Sequence, residues 1–325
     1  METISEGPAY TKGSNFRAIA EAKAREYRVK TLQRPGYDKY GHYLTVEDGR
    51  SGYNFLPALR SAILQAVIQR AKEGKGVGFK RTTTNLLSSQ AMCFNFFVPL
   101  NGDRPLAARL LNFLIGDVDS VEDIKCEYTP SNSIFNDHSG EGGVNCDVLV
   151  KYSDGTGHLG LMVVETKYVE TEFSTCGFRV AEQKDKCPVA TVVAADHSNC
   201  RYVYKKKYRY WDVAAESGLY QMDKSQSEPC PFGGPMWQLW TKMSLAYAIS
   251  KQLGCSEFRY AVMCREDNLK LTQQGAIFDS FRSLLTRPEL FKVIYLSNVK
   301  AGLLDRSVLQ VNQPWATEFI ERYCW

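Results

Sequence analysis

No stretch of the sequence approaches the about 20 consecutive apolar residues that span a bilayer. Its opening, METISEGPAY, has neither the basic start nor the apolar stretch of a secretory signal. A soluble, cytoplasmic protein without membrane contact is expected. The ten cysteines include no C-x-x-C pair, so the series Cys176, Cys187, Cys200 and Cys230 leaves structural zinc open on weak spacing. Others, such as Cys93 in AMCFNFF and Cys264 in AVMC, lie in apolar text where a thiol packs as a small hydrophobe, and reduced cysteines are expected. There is no internal repeat, no low-complexity segment and no Ser/His/Asp hydrolase pattern. A glycine-rich phosphate loop is also missing, since GEGG from Gly140 precedes a strand instead of opening a helix after one. Nor is the chain strongly basic: a net charge of +4 permits an anionic partner without identifying nucleic acid.

What is present is core material. Across 325 residues, 44% are hydrophobic, 12% aromatic and 23% charged, which describes a folded chain with one large core and an extension. Residues 1–84 read as a basic, helical N-terminal extension, with Pro57 suited to a first helical turn and Gly74 to a C-terminal cap. Residues 85–325 read as the core. LLSSQAMCFNFFVPL and RPLAARLLNFLIG are helical. IKCEYTP, NCDVLVKY and LGLMVVETKY are strands, the last two joined by the turn DGTG. An irregular insertion at about 174–235 follows, then the helix PMWQLWTKMSLAYAISKQLG and the strands FRYAVMCRED and FKVIYLSN. That order predicts an α/β fold around a central mixed β-sheet flanked by helices.

The hairpin CDVLVKYSDGTGHLGLMVVETKYVE carries the chemistry. If it folds about Thr156, Asp147 lies opposite Glu165. Strand alternation puts Glu165 and Lys167 on one face, while Thr166 turns away and keeps its carbonyl near the site. Two carboxylates and a carbonyl are hard oxygen ligands suited to Mg2+, with Mn2+ as a substitute. A lysine beside them can orient or deprotonate a water, and the set suffices for metal-assisted phosphodiester hydrolysis. The plain alternative is a hairpin with solvated ends. Against it stands LMVV, which makes the third strand central, so that Glu-Thr-Lys would end a buried strand with unpaired charge.

These residues resemble the PD-(D/E)xK nuclease superfamily, whose core is helix, three-stranded meander, helix and strand, with Asp on the second strand and (Glu/Asp)-x-Lys on the third. SSQAMCFNFFVPL, the CDVLVKY and VVETKYVETEFS block and the QLW helix are similar to a family of bacterial restriction-endonuclease-like proteins, over roughly Asn85 to Asn298. The resemblance implies a restriction-endonuclease-like core in which Asp147 and Glu165 bind metal and Lys167 serves the attacking water. Cys146 stands where the family name has Pro. Many members also carry an acidic residue on the first helix, a place for which Gln90 and Glu127 are the candidates here. Gln238, one helical turn from Lys242 in QLWTK, matches a Gln that some members place near the phosphate. The implied reaction is DNA cleavage by an endonuclease with a restriction-like or phage-defence role, with RNA as the alternative polymer and a homodimer as the arrangement suited to cutting both strands.

For substrate contacts the sequence offers Lys205, Lys206, Lys207 and Arg209 in KKKYRYW, with Tyr208, Tyr210 or Trp211 as stacking platforms, and Lys242 on the later helix. The same text also reads as a strand with a period-two aromatic face. Two other functions stay open on this evidence: a non-catalytic nucleic-acid-binding module on the same fold, and a protein-interaction module acting through the aromatic insertion.

Overall fold

The computed structural model describes residues 4–10, 15–37, 39–74, 76–130, 134–137, 145–178, 197–221 and 230–325. The N-terminal part opens with α1 (Asn15–Tyr27), which runs into a π-helical turn at Arg28–Leu32 closed by left-handed Gln33. A small hairpin follows, β1 (Gly36–Tyr37) and β2 (Tyr40–Leu44), and then α2 (Val46–Arg50), α3 (Arg60–Lys72) and α4 (Phe79–Thr84). The hairpin was not expected from sequence; its strands are too short to show a period. Pro57 begins a 3-10 turn ahead of α3, and Gly74 follows α3 at φ +66, as their chemistry predicts.

Two helices come next, α5 (Ser89–Gly102) and α6 (Arg104–Ile115). The meander is β3 (Ser120–Tyr128), β4 (Cys146–Ser153) and β5 (Leu159–Thr166). The connection to the second half holds α7 (Arg201–Tyr204) and α8 (Tyr210–Ser217), then α9 (Met236–Gln252) leads into β6 (Glu257–Cys264). Helices α10 (Leu269–Thr272) and α11 (Ala276–Arg282) precede β7 (Phe291–Tyr295), and α12 (Leu296–Leu304) and α13 (Pro314–Tyr323) complete the order. Residues 202–210 therefore contain helical turns, and the period-two strand reading of that stretch is wrong. The buried residues of α8, Tyr210, Trp211, Val213 and Ala214, follow the helical period instead.

The sheet runs β3-β4-β5-β6-β7, antiparallel across the meander and parallel from β5 to β7. It is the expected mixed sheet with helices on both faces. Val148, Val150, Met162, Val164, Ala261 and Met263 pack with α5, α6 and the N-terminal and C-terminal helices. Leu149, Leu161, Val163, Tyr260 and Val262 pack with α8, α9 and α11. Both faces of β5 are thus covered, which is why LGLMVVET is almost continuously apolar. Gly160 is required inside it because the ring of its cross-strand neighbour Tyr152 lies where a Cβ would stand, 2.4 Å away. Among the described residues every cysteine is a free thiol, and no helix is long and apolar enough to cross a membrane.

One buried histidine makes the N-terminal part acid-sensitive. His42, 3% exposed, has its pKa pushed down to about 4 by burial and by the guanidinium groups of Arg17 and Arg25, even with Glu21 3.6 Å from its Nδ1. Its folded pKa lies below the unfolded value, so the unfolded chain binds the extra proton. The stability it contributes is complete above about pH 6.5 and is lost as pH falls towards 4, a change of roughly 3 kcal/mol. Urea denaturation of the wild type and of His42→Gln across this range should show a steeper acid loss in the wild type; parallel curves would mean that His42 titrates normally.

Candidate active site

Strand register builds the site. Val148 pairs with Val164 across β4 and β5, so one step further Asp147 faces Glu165. On the other side Cys126 pairs with Val148 and Tyr128 with Cys146, which sets Glu127 beside Asp147. Three carboxylates thus stand abreast at one end of the sheet. They open into a cleft of about 400 Å3 whose lining also includes Lys167, Gln90 and Asn145.

Each acid is held differently. Asp147 Oδ2 accepts from the backbone N–H of Thr166 at 2.7 Å and from its hydroxyl at 2.8 Å. This corrects the expectation that the Thr166 side chain turns away: at the strand end Asp147 reaches across to it. Glu165 is 4% exposed and its Oε1 accepts from Gln238 Nε2 at 2.6 Å and lies 3.0 Å from Lys167 Nζ. Its Oε2 is buried without a hydrogen-bond partner, 3.7 Å from Lys242 Nζ. Glu127, 3% exposed, accepts from Gln90 Nε2 at 2.7 Å, and its backbone carbonyl accepts from Arg70. Its φ of +50 is a left-handed conformation that residues other than glycine rarely adopt.

The electrostatics follow from crowding. Burial, and then the charge of Glu165, pushes Asp147 up to about 6; burial, and then Asp147, pushes Glu127 up to about 8. Burial would raise Glu165 too, but the ammonium groups of Lys167 and Lys242 hold it below the usual carboxylate range. Lys167 is the mirror image: burial opposes its charge, yet Glu165, Glu170 and Asp147 keep its pKa above the usual lysine value. Asp147 and Glu165, opposite each other at the strand ends and lining one cleft, with the Oε2 of Glu165 lacking a hydrogen-bond partner, are a donor set that fits a small hard cation, which keeps waters and needs only one or two protein carboxylates.

Gln238 and Lys242, expected to share a face of the later helix, do so on α9 and both reach Glu165. Gln238 Oε1 also accepts from Ser174 N at 2.9 Å, and Lys242 donates to the Asn145 carbonyl. Lys242 is therefore 9% exposed on the floor of the site. Lys205, Lys206 and Lys207 are exposed after α7, Arg209 pairs with Asp212 and Glu216, and none of the four lines the cleft. Tyr210 and Trp211 are 5% and 1% exposed in an aromatic cluster with Trp237, Trp240 and Phe232. Their stacking on bases is excluded by that burial. Tyr208 is half-buried and stacks on Tyr202.

Of the candidates for a further acid, Glu127 and Gln90 come together, with the acid on β3 and the amide on the first turn of α5. Ser88 caps α5 by accepting from Ala91 N, while Ser89 donates to Glu170 at 2.6 Å. Glu170, Asn145 and Arg81 line the cleft and were missed; only the repeated glutamates of ETKYVETE hinted at Glu170. For the cysteine series, Cys187 lies outside the described residues, and among the described residues no group of three His, Cys, Asp or Glu side chains is placed to hold a metal ion.

No curated protein and no solved structure matches this chain. The family model of the PD-(D/E)XK nuclease superfamily matches residues 11–325, a span that takes in the whole sheet together with Asp147, Glu165 and Lys167. The superfamily resemblance expected over Asn85 to Asn298 holds, the match reaching beyond those bounds at both ends, and the chain belongs to the PD-(D/E)XK nuclease superfamily.

Proposed function

We propose that the protein is a Mg2+-dependent endonuclease of DNA with a restriction-like role, in which Asp147, Glu165 and the Thr166 carbonyl hold the metal. One observation carries this reading: Asp147 and Glu165 stand opposite each other at the strand ends and line one cleft, and the buried Oε2 of Glu165 has no hydrogen-bond partner. A divalent cation bound there would polarise the phosphodiester and stabilise the charge of its transition state. The chain's own residues do the rest. Thr166 orients Asp147, and Gln238 fixes the rotamer of Glu165. Lys167, held as a cation by Glu165, orients the attacking water beside the phosphate. Superfamily membership points to a nuclease reaction on nucleic acid and to use of a divalent metal.

The polymer and the metal are tested together. Supercoiled plasmid, linear duplex and single-stranded RNA are incubated with the protein in Mg2+, Mn2+ or EDTA. Nicking or linearisation of the plasmid in either metal, with none in EDTA, is expected. Cutting of RNA alone, or cutting that survives EDTA, would sink the proposal.

A further inference from the structure

Four carboxyl groups line the cleft, and the two buried ammonium groups at its floor, Lys167 and Lys242, are already engaged by one of them, Glu165. The lining carries Glu127, Asp147, Glu165 and Glu170 against Lys167 and Arg81. Arg81 is exposed and makes no ion pair or side-chain hydrogen bond with any described residue. We propose that Arg81 receives a backbone phosphate of the DNA at the mouth of this cleft; this rests on the nuclease reading above and adds the residue that holds the substrate. A polyanion approaching a row of carboxylates is repelled unless a cation meets it, and a guanidinium does so with two parallel N–H donors.

The backbone beneath Arg81 is rigid. Thr82, Thr83 and Thr84 are buried. Thr82 donates to Gln90, the residue that holds Glu127, and Asn54 Nδ2 donates to the carbonyls of Thr82 and Asn85 at 2.7 and 2.9 Å. The preceding loop is pressed against the site, since a Cβ on Gly76 would lie 2.8 Å from Asn145 Nδ2 and 3.3 Å from Glu127 Oε2. With this backbone already ordered, binding has to order only the Arg81 side chain itself. Lys205–Lys207 have exposure without proximity to the carboxylates.

The test uses fluorescein-labelled duplex DNA of mixed sequence. Anisotropy is measured in Ca2+ over a salt series, and cleavage in Mg2+, for the wild type, Arg81→Ala, Arg81→Lys and the combined Lys205→Ala, Lys206→Ala, Lys207→Ala variant. Arg81→Ala should weaken binding about tenfold and lower the slope of log affinity against log salt by about one, at unchanged Tm. Arg81→Lys should restore the slope but only part of the affinity. If the wild type binds but does not cut and Arg81→Ala still binds more weakly, the phosphate contact stands while the nuclease reading fails. Unchanged affinity and slope in Arg81→Ala, or a wild type that binds no duplex, overturns the contact.

Discussion

Glu165→Gln is expected to abolish cutting, by about a thousandfold or more, while making the metal-free protein less stable. The rate loss corresponds to roughly 4 kcal/mol of transition-state stabilisation, the scale of a lost metal interaction. The amide keeps the shape of the side chain but removes the charge that faces Asp147 across the strands. The stability loss has a separate origin. Glu165 lies between two ammonium groups, Lys167 at 3.0 Å and Lys242 at 3.7 Å, which are 8% and 9% exposed. Without their main partner both stay buried, Lys167 left to Glu170 and Asp147 and Lys242 to the Asn145 carbonyl, which costs up to about 3 kcal/mol. Plasmid cleavage rates and urea denaturation in EDTA check the two halves independently. A variant that is destabilised yet cuts at the wild-type rate would leave Glu165 a structural residue.

Lys167→Met should have the opposite effect on the metal and the same effect on the reaction. In the metal-free site the Lys167 ammonium occupies Glu165 and so competes with a cation for that carboxylate. Removing it frees the acid: Mg2+ should bind more tightly, and the Mg2+-induced rise in Tm should exceed that of the wild type. Cleavage should nevertheless fall roughly 10²–10⁴-fold, because in the proposed reaction the ammonium that orients the attacking water is gone. A thermal-shift titration beside the cleavage assay separates the roles. Wild-type rates would end the water-handling assignment, and a smaller metal-induced shift would mean that Lys167 helps to build the cation site instead of competing for it.

Much of this site is readable in the chain because one short turn sets it. DGTG closes β4 onto β5 with few alternatives, and once the turn is placed the period of two makes Asp147 face Glu165. The pairing of Gln238 with Lys242 was equally legible, since helical spacing puts them on one face wherever the helix lies. Glu127 was not. Its place in the row depends on the register of β3 against β4 across a long connection, and its left-handed backbone departs from the strand pattern on which periodicity relies. Arg81 was invisible for a related reason: only tertiary packing of α4 against Gln90 and Asn54 carries it to the cleft. Tyr210 and Trp211 misled because alternating aromatics and cations fit both a nucleic-acid platform and a strand, whereas α8 buries them against α9.

The claim that Asp147 and Glu165 together hold a divalent cation is tested most directly without substrate. Mn2+ is titrated into the wild type and Glu165→Gln, and the electron paramagnetic resonance signal of the free aqueous ion is followed. The wild type should deplete that signal by about one ion per chain and Glu165→Gln should leave it untouched, as a site built on two carboxylates requires. Equal depletion by both proteins would contradict the account.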